Sequence, residues 1–264
     1  MNLSKRQVLA LSLCLGLVAI SGAAQAQTAL EAIQKSKQIK IAIPTDFPPY
    51  GFVGTDLQPQ GLDIDMARLI AAKMGATVEL LPVTSANRIP YLQTKKADLV
   101  ISTLGKNAER EKVIDFTAAY SPFFQAIFAA KTLPVKAIGD LAGKSVAVTR
   151  GAIEDQELTK IAPAGTDIKR FEDNNATVSA FVSGQTQLIA TGASVAGNMM
   201  FRNPQLGTEY KLLLKDSPNF IGVAKGEDAL RTKVNEVIAD LKKSGDLDKI
   251  ANRWLGRPAG VLPE

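Results

Sequence analysis

From residue 38 to residue 254 the chain alternates between short apolar runs and longer stretches in which apolar residues recur at every third or fourth position. The runs fit buried strands and the stretches fit amphipathic helices, so the pattern predicts an α/β protein with mainly parallel sheets. Ile39 to Ile43 reads as a strand. A helix begins at Asp63, with Leu62, Met66, Leu69 and Ile70 on one stripe and Gly75 as its stop. Thr77 to Leu81 is a second strand, Asn87 caps a short helix with Pro90 in its first turn, and Leu99 to Ile101 is a third strand.

A second cycle starts after Leu133-Pro134. Ser145 to Val148 reads as a strand, Gly151 as a tight turn, Glu154 to Ile161 as a helix, and Ile168 to Phe171 as a strand. A helix near Ala176 to Val182 and a strand at Leu188 to Ala190 continue the alternation. Residues 92–102 echo residues 181–191: helix end, polar turn, apolar strand, hydroxyl. Two similar lobes would produce that echo, and so would chance likeness between two α/β units. Glu227 to Lys243 is a long amphipathic helix with Leu230, Val234, Val237, Ile238 and Leu241 on one face. Gly245 ends it, Leu247 to Trp254 forms a shorter helix, and 258–264 is a tail with little structure.

The N-terminus has a different pattern. Lys5 and Arg6 precede an apolar run from Val8 to Ile20 and then Ala24-Gln25-Ala26, the layout of a cleavable secretory signal peptide over residues 1–26. A membrane anchor needs about 20 uninterrupted apolar residues. Cys14 lies inside this leader behind the bulky Leu13, which does not suit a lipidation site. The chain from Gln27 onward therefore has no thiol or disulfide chemistry, and the expected compartment is the periplasm.

Composition narrows the chemistry further. Hydrophobic residues at 46% and charged residues at 22% are ordinary for a globular chain, and about 240 residues beyond the leader suit one large or two modest domains. Formal net charge falls from +5 to +3 once Lys5 and Arg6 are set aside, with no Lys/Arg block of the kind that contacts nucleic acid. Histidine is absent, which removes the commonest general base and metal ligand together. A metal site would have to be all oxygen, and no carboxylate run resembles a calcium loop. No metal or cofactor is expected.

The most informative stretch is Ala97 to Thr117, ADLVISTLGKNAEREKVIDFT. An apolar run ends in Ser102-Thr103, and Arg110 follows shortly after. Hydroxyls at a strand end beside a guanidinium suit an anionic ligand better than an apolar one. The plain alternative for Arg110 is a surface salt bridge with Glu109 or Glu111.

Five segments together carry a family resemblance: Phe47-Pro48-Pro49-Tyr50-Gly51-Phe52, Gly61-Leu62-Asp63-Ile64-Asp65, the 97–117 stretch, Leu141-Ala142-Gly143-Lys144-Ser145-Val146-Ala147-Val148, and Gly245 to Trp254. In order and spacing they resemble the periplasmic polar-amino-acid-binding proteins of ABC importers, the bacterial extracellular solute-binding proteins of family 3. The resemblance implies an α/β, two-lobed periplasmic-binding-protein fold of type II with two crossing hinge strands and a cleft that closes by hinge motion. Lobe 1 would span 38–128 and 223–257, and lobe 2 would span 129–222. It further implies a monomer without enzymatic activity that captures an amino acid or related small carboxylate and delivers it to a membrane permease.

Carried over residue by residue, the resemblance makes Arg110 the grip on the ligand α-carboxylate, a task suited to a bidentate guanidinium. Ser102, Thr103 and Gly105 fall on the loop that shares this task. Phe47 matches the stacking aromatic, and Tyr50 either lines the cleft or lies in the core beneath it. Asp63 and Asp65 read as helix caps rather than ligand contacts.

Two positions depart from the family pattern. Ala152 and Ile153, after Arg150-Gly151, stand where hydroxyl residues usually help hold the carboxylate, and they offer only backbone N–H groups at a helix start. Gly192 stands where an aspartate usually pairs with the ligand ammonium. A buried ammonium without a counter-charge is costly, so either Glu154 or Asp155 substitutes or the ligand is not a standard α-amino acid. The other reading of those two acids is first-turn carboxylates that favour the helix dipole.

The competing function is an enzyme on the same fold, similar to cyclohexadienyl dehydratases and acting on a cyclic carboxylate. It would need a placed acid or base, for which Glu154, Asp155 and Asp173 are the candidates. A receptor's sensing domain is disfavoured because no apolar membrane-length segment follows Trp254.

Overall fold

A computed structural model describes residues 27–263; the expected leader, residues 1–26, lies outside them. Helix α1 (Ala29–Ser36) opens with a capping box in which Thr28 and Glu31 exchange side-chain and backbone bonds. The first lobe then lays down β1 (Gln38–Ile43), a small hairpin sheet of β2 (Asp46–Phe47), β3 (Gly51–Val53) and β4 (Pro59–Gln60), helix α2 (Leu62–Lys73), β5 (Thr77–Pro82) and α3 (Arg88–Gln93). β6 (Leu99–Leu104), the single turn α4 (Ala108–Glu111) and β7 (Ile114–Ser121) follow.

The second lobe holds β8 (Phe124–Ala130), β9 (Ser145–Thr149), α5 (Ile153–Ile161), β10 (Asp167–Phe171), α6 (Asn174–Val182), β11 (Leu188–Gly192), α7 (Ala193–Arg202) and β12 (Thr208–Asp216). The chain then returns to the first lobe through β13 (Asn219–Ala224), α8 (Asp228–Ser244) and α9 (Asp246–Leu255).

Two five-stranded sheets result, ordered β5-β1-β6-β13-β7 and β10-β9-β11-β8-β12. In the first, β1 runs parallel between β5 and β6, with Ile41 opposite both Leu80 and Leu99. Ile39, Ile41 and Ile43 are fully buried and pack with the α2 stripe and with Leu230, Val234, Ile238 and Leu241 of α8. Burying each such side chain contributes about 1.5–3 kcal/mol. The predicted faces of α2 and α8 are the buried ones.

The sheets are only half parallel. β13 is antiparallel to β6 and β7, and β8 is antiparallel to β11 and β12. These are the strands that bring the chain across between lobes, and they enter each sheet from the opposite direction. The crossings lie at Pro122-Phe123 and Ser217-Pro218, earlier than the expected boundaries at 128/129 and 222/223. β8 pairs along its whole length within the second sheet, and β13 pairs within the first from Asn219 onward, so neither strand can be split at those boundaries.

The C-terminal segment has no helix or strand but is anchored. Ala259 is buried and donates its N–H to Asp248, and the Pro263 carbonyl accepts from Ala119 of β7. Among the described residues no helix is long and apolar enough to cross a membrane.

Candidate functional site

The cleft is built around the C-terminal end of β6 and the loop that follows it. Thr103 sits at φ 43°, a left-handed conformation that costs a non-glycine residue energy unless its surroundings fix it. They do so here. Its N–H donates to Asp63 Oδ2 at 2.8 Å, and its carbonyl and that of Ser102 accept from Arg88 Nη1 at 3.2 and 2.8 Å. Asp63 is fully buried, and its Oδ1 accepts from the Tyr120 hydroxyl at 2.7 Å. It is not the helix cap expected from its position: Gly61 precedes α2 with no side-chain cap. Burial pushes the Asp63 carboxyl up to about 7, against the pull of its Tyr120 and Thr103 donors. Asp65, the other expected cap, accepts from Trp254 Nε1 and pairs with Arg253, which ties α2 to α9.

Arg110 is 2% exposed and does not pair with its acidic neighbours, which bind Lys112 and Lys106 instead. Asn107 caps the turn by accepting the Arg110 N–H. The guanidinium reaches inward: Nη1 donates to Gly105 O at 2.7 Å, Nη2 donates to Gly151 O at 3.0 Å, and Nε is buried without a partner. Burial first, and the nearby Arg88 second, hold its pKa down at about 9, so it stays charged at neutral pH.

The Arg110 bond to Gly151 spans the cleft. So do Asn107 Nδ2 to Gln156 Oε1 at 2.8 Å and the Asn174 N–H to Asp46 Oδ2 at 2.8 Å. The lobes are closed on each other. Gly105 is one place where they pack closely: a Cβ there would stand 2.8 Å from Ile153 Cδ1 and 2.9 Å from Ser217 Oγ.

On the lobe 2 side, Ala152 and Ile153 are buried at the start of α5. The Ala152 N–H is already donated to Thr149 O, so of the two expected backbone donors only Ile153, at the first helical position, has no partner within its helix. Asp155 accepts from Gly151 N–H and from Arg170 Nε, so its charge already has a counter-ion. Glu154 is 3% exposed, and its Oε1 has no partner. Burial pushes its carboxyl up to about 7, with Arg88 and Arg110 pulling the other way.

Phe47 and Tyr50 come together with Phe123, whose ring centroid lies 5.7 Å from Phe47 and 5.3 Å from Tyr50. The buried Tyr50 ring is fastened to a crossing, its hydroxyl donating to Pro122 O and accepting from Ser121. Gly192 meets the same cluster. A Cβ there would stand 2.1 Å from Phe123 Cζ and 3.0 Å from Phe47 Cζ, so an aromatic ring fills the space an aspartate would need.

The structure thus brings Arg110, Ser102, Thr103, Gly105, Ile153 and Glu154 to one sealed seam. Residues 39–257 of this chain match the family described as bacterial extracellular solute-binding proteins, family 3. The chain belongs to that family. It is 28% identical over 234 residues to an ABC transporter glutamine-binding protein of Bacillus subtilis, covering 86% of this chain and 84% of that one. It superimposes on an ancestral arginine-binding protein bound to arginine with a TM-score of 0.79 and 33% identity, over 83% of this chain and 99% of the other. An ancestral amino-acid-binding protein that is a precursor of cyclohexadienyl dehydratase gives a TM-score of 0.76 and 30% identity, over 85% and 98%. The two-lobed α/β body is the fold this chain shares with these structural neighbours.

Sequence reasoning missed Arg88, Phe123, Asp46 and Asn107. Asn107 carried a readable signal, a capping residue ahead of a short helical stretch. A cation directly before Ile89, Pro90 and Tyr91 was the only hint of Arg88, and a solvated helix start reads the same way.

Proposed function

We propose that this protein captures an amino acid, or a close carboxylate-bearing relative, between its lobes and delivers it to the membrane permease of an ABC importer. One observation carries the reading: a buried, charged Arg110 whose Nε donor has no partner inside a cleft that the same side chain helps to close. A carboxylate supplies both the missing acceptor and the missing counter-charge. The relatives support the solute class, since they include a glutamine-binding protein and a structure holding arginine. In this reading residues 1–26 are an export leader, the remainder works as a monomer in the periplasm, and the lobes move as rigid bodies about the two crossings.

A thermal-shift panel of the twenty L-amino acids on the protein from Gln27 onward tests this. A ligand at about 100 times its dissociation constant adds about 2.7 kcal/mol of stability, a visible rise in melting temperature. Stabilisation by a sugar or a metal salt, with every carboxylate silent, would overturn the proposal.

A dehydratase-like activity draws on two observations: Glu154, raised to about 7, has the acidity of a general acid or base, and one structural relative is a dehydratase precursor. Against it, Asp155 is paired with Arg170 and Asp173 caps α6, so each of the other two candidate acids already holds a structural role. Prephenate incubated with the protein should therefore remain unconverted.

A further inference from the structure

The seam contains a second orphaned atom. Arg110 Nε is a buried donor without an acceptor on the lobe 1 side, and Glu154 Oε1 is a buried acceptor without a donor on the lobe 2 side. Glu154 stands in the first turn of α5, next to Ile153, the residue that touches the Gly105 loop across the cleft. Arg88 and Arg110 are close enough to act on its charge, yet neither donates to it: Arg88 is spent on the carbonyls of Ser85, Ser102 and Thr103, and Arg110 on those of Gly105 and Gly151. Leaving a buried carboxylate oxygen unpaired costs more than any neutral group would. The orphaned donor and acceptor are complementary, which is what a zwitterion requires: an anionic end for Arg110 and a cationic end for a carboxylate.

The position expected to supply that carboxylate cannot do so. Gly192 has no side chain, and the Phe123 and Phe47 rings occupy the space in front of it. The Asp155 charge is already paired with Arg170. We infer that Glu154 is the counter-charge for a ligand ammonium, so that the cationic end of the solute is recognised from the first turn of α5 instead of from the start of α7. This rests on the amino-acid reading above and adds to it the requirement that the preferred solute carry an amine.

Titration calorimetry on the wild type and Glu154→Gln tests the inference, using the twenty L-amino acids and, for each, the carboxylic acid of the same skeleton without the amine. The wild type should prefer an amino acid over its amine-free counterpart by at least about tenfold. Glu154→Gln should weaken the amino acid by about a hundredfold while changing the amine-free acid less than about threefold, so that the preference disappears. Glu154→Asp, which keeps the charge but shortens its reach, should retain part of the preference; if the glutamine variant fails to fold, a loss for the amino acid in Glu154→Asp that the amine-free acid does not share supports the assignment, and equal losses overturn it. Arg110→Ala should weaken both compounds alike. Equal losses for both compounds in Glu154→Gln, undiminished amino-acid affinity, or a wild type that prefers amine-free acids would each overturn the assignment while leaving carboxylate capture standing. A wild type that binds no carboxylate at all would overturn both.

Discussion

Arg110 holds its place through two main-chain carbonyls and nothing stronger, so the charge is positioned but not neutralised. A guanidinium arranged in this way is held ready for an anion that arrives from outside. Arg110→Ala removes the charge-assisted partner of that anion, a loss of a few kcal/mol and hence of about a hundredfold or more in affinity. The fold should persist, because the side chain supports only loop carbonyls. Calorimetry with the best solute of the thermal panel checks this, and an unchanged affinity would end the carboxylate role.

Glu154 allows a separate test through pH. Its folded-state pKa is raised from 4.5 to about 7, so the folded protein keeps a proton that the unfolded chain gives up. The stability it contributes is fully present below about pH 4.5 and is lost as pH rises through about 7. Glutamine at this position does not titrate. The stability of Glu154→Gln relative to wild type should therefore climb between about pH 4.5 and pH 8 by on the order of a few kcal/mol and level off above, with its melting temperature rising in step. Parallel melting curves across that range would show that the carboxyl does not titrate as its burial requires.

At the scale of elements, α7 and β8 meet at one crowded point. Gly192 closes β11, caps α7, and lies opposite Gln125 of β8 in the pairing, with the Phe123 ring against its Cα. Gly192→Ala would press a methyl group into that ring, an overpacking penalty of about 1–3 kcal/mol. In a protein of this size that lowers the melting temperature by several degrees. Phe123→Ala should cancel most of the added cost of Gly192→Ala, since contacting residues couple; additive losses in a double-mutant cycle would contradict the contact.

The periodic elements were legible because each buries one face: α2, α8 and the isoleucine strand β1 match their patterns almost residue for residue. Helix α7 was not, because it follows β11 directly with Gly192 as the only break and carries Ser194 and Asn198 among its apolar residues. Strand direction was not legible either. The antiparallel sense of β8 and β13 is set by which way the chain crosses between lobes, a long-range fact that no local pattern records. In the site, Arg110 stood out beside a hydroxyl-rich strand end. The roles of Asp63 as anchor of Thr103 at the end of β6 and of Phe123 as the filler at Gly192 depend on partners 40 and 69 residues away in sequence.

In the proposed function the whole molecule works by the balance between open and closed lobes, and the closed state seen here is held in part by polar contacts across the cleft. Asp46 of β2 reaches from lobe 1 to the start of α6 in lobe 2, accepting the Asn174 N–H at 2.8 Å and its Nδ2 at 3.1 Å. A carboxylate at a helix N-terminus also gains from the helix dipole. This contact exists only when the lobes are together, so it adds to the free energy of closure without touching the carboxylate seam. Asp46→Ala should cost the closed state about 1–2 kcal/mol, which appears as an affinity lower by roughly five- to thirtyfold. The order of preference among solutes should stay the same, because the residues that read the solute are unaltered. Small-angle scattering should show a larger radius of gyration for the variant at solute concentrations that close the wild type, and a saturating dose should restore compactness, since solute binding favours the closed population. A reordered solute preference would instead place Asp46 in the recognition site, and an unchanged affinity would mean that closure does not depend on this latch.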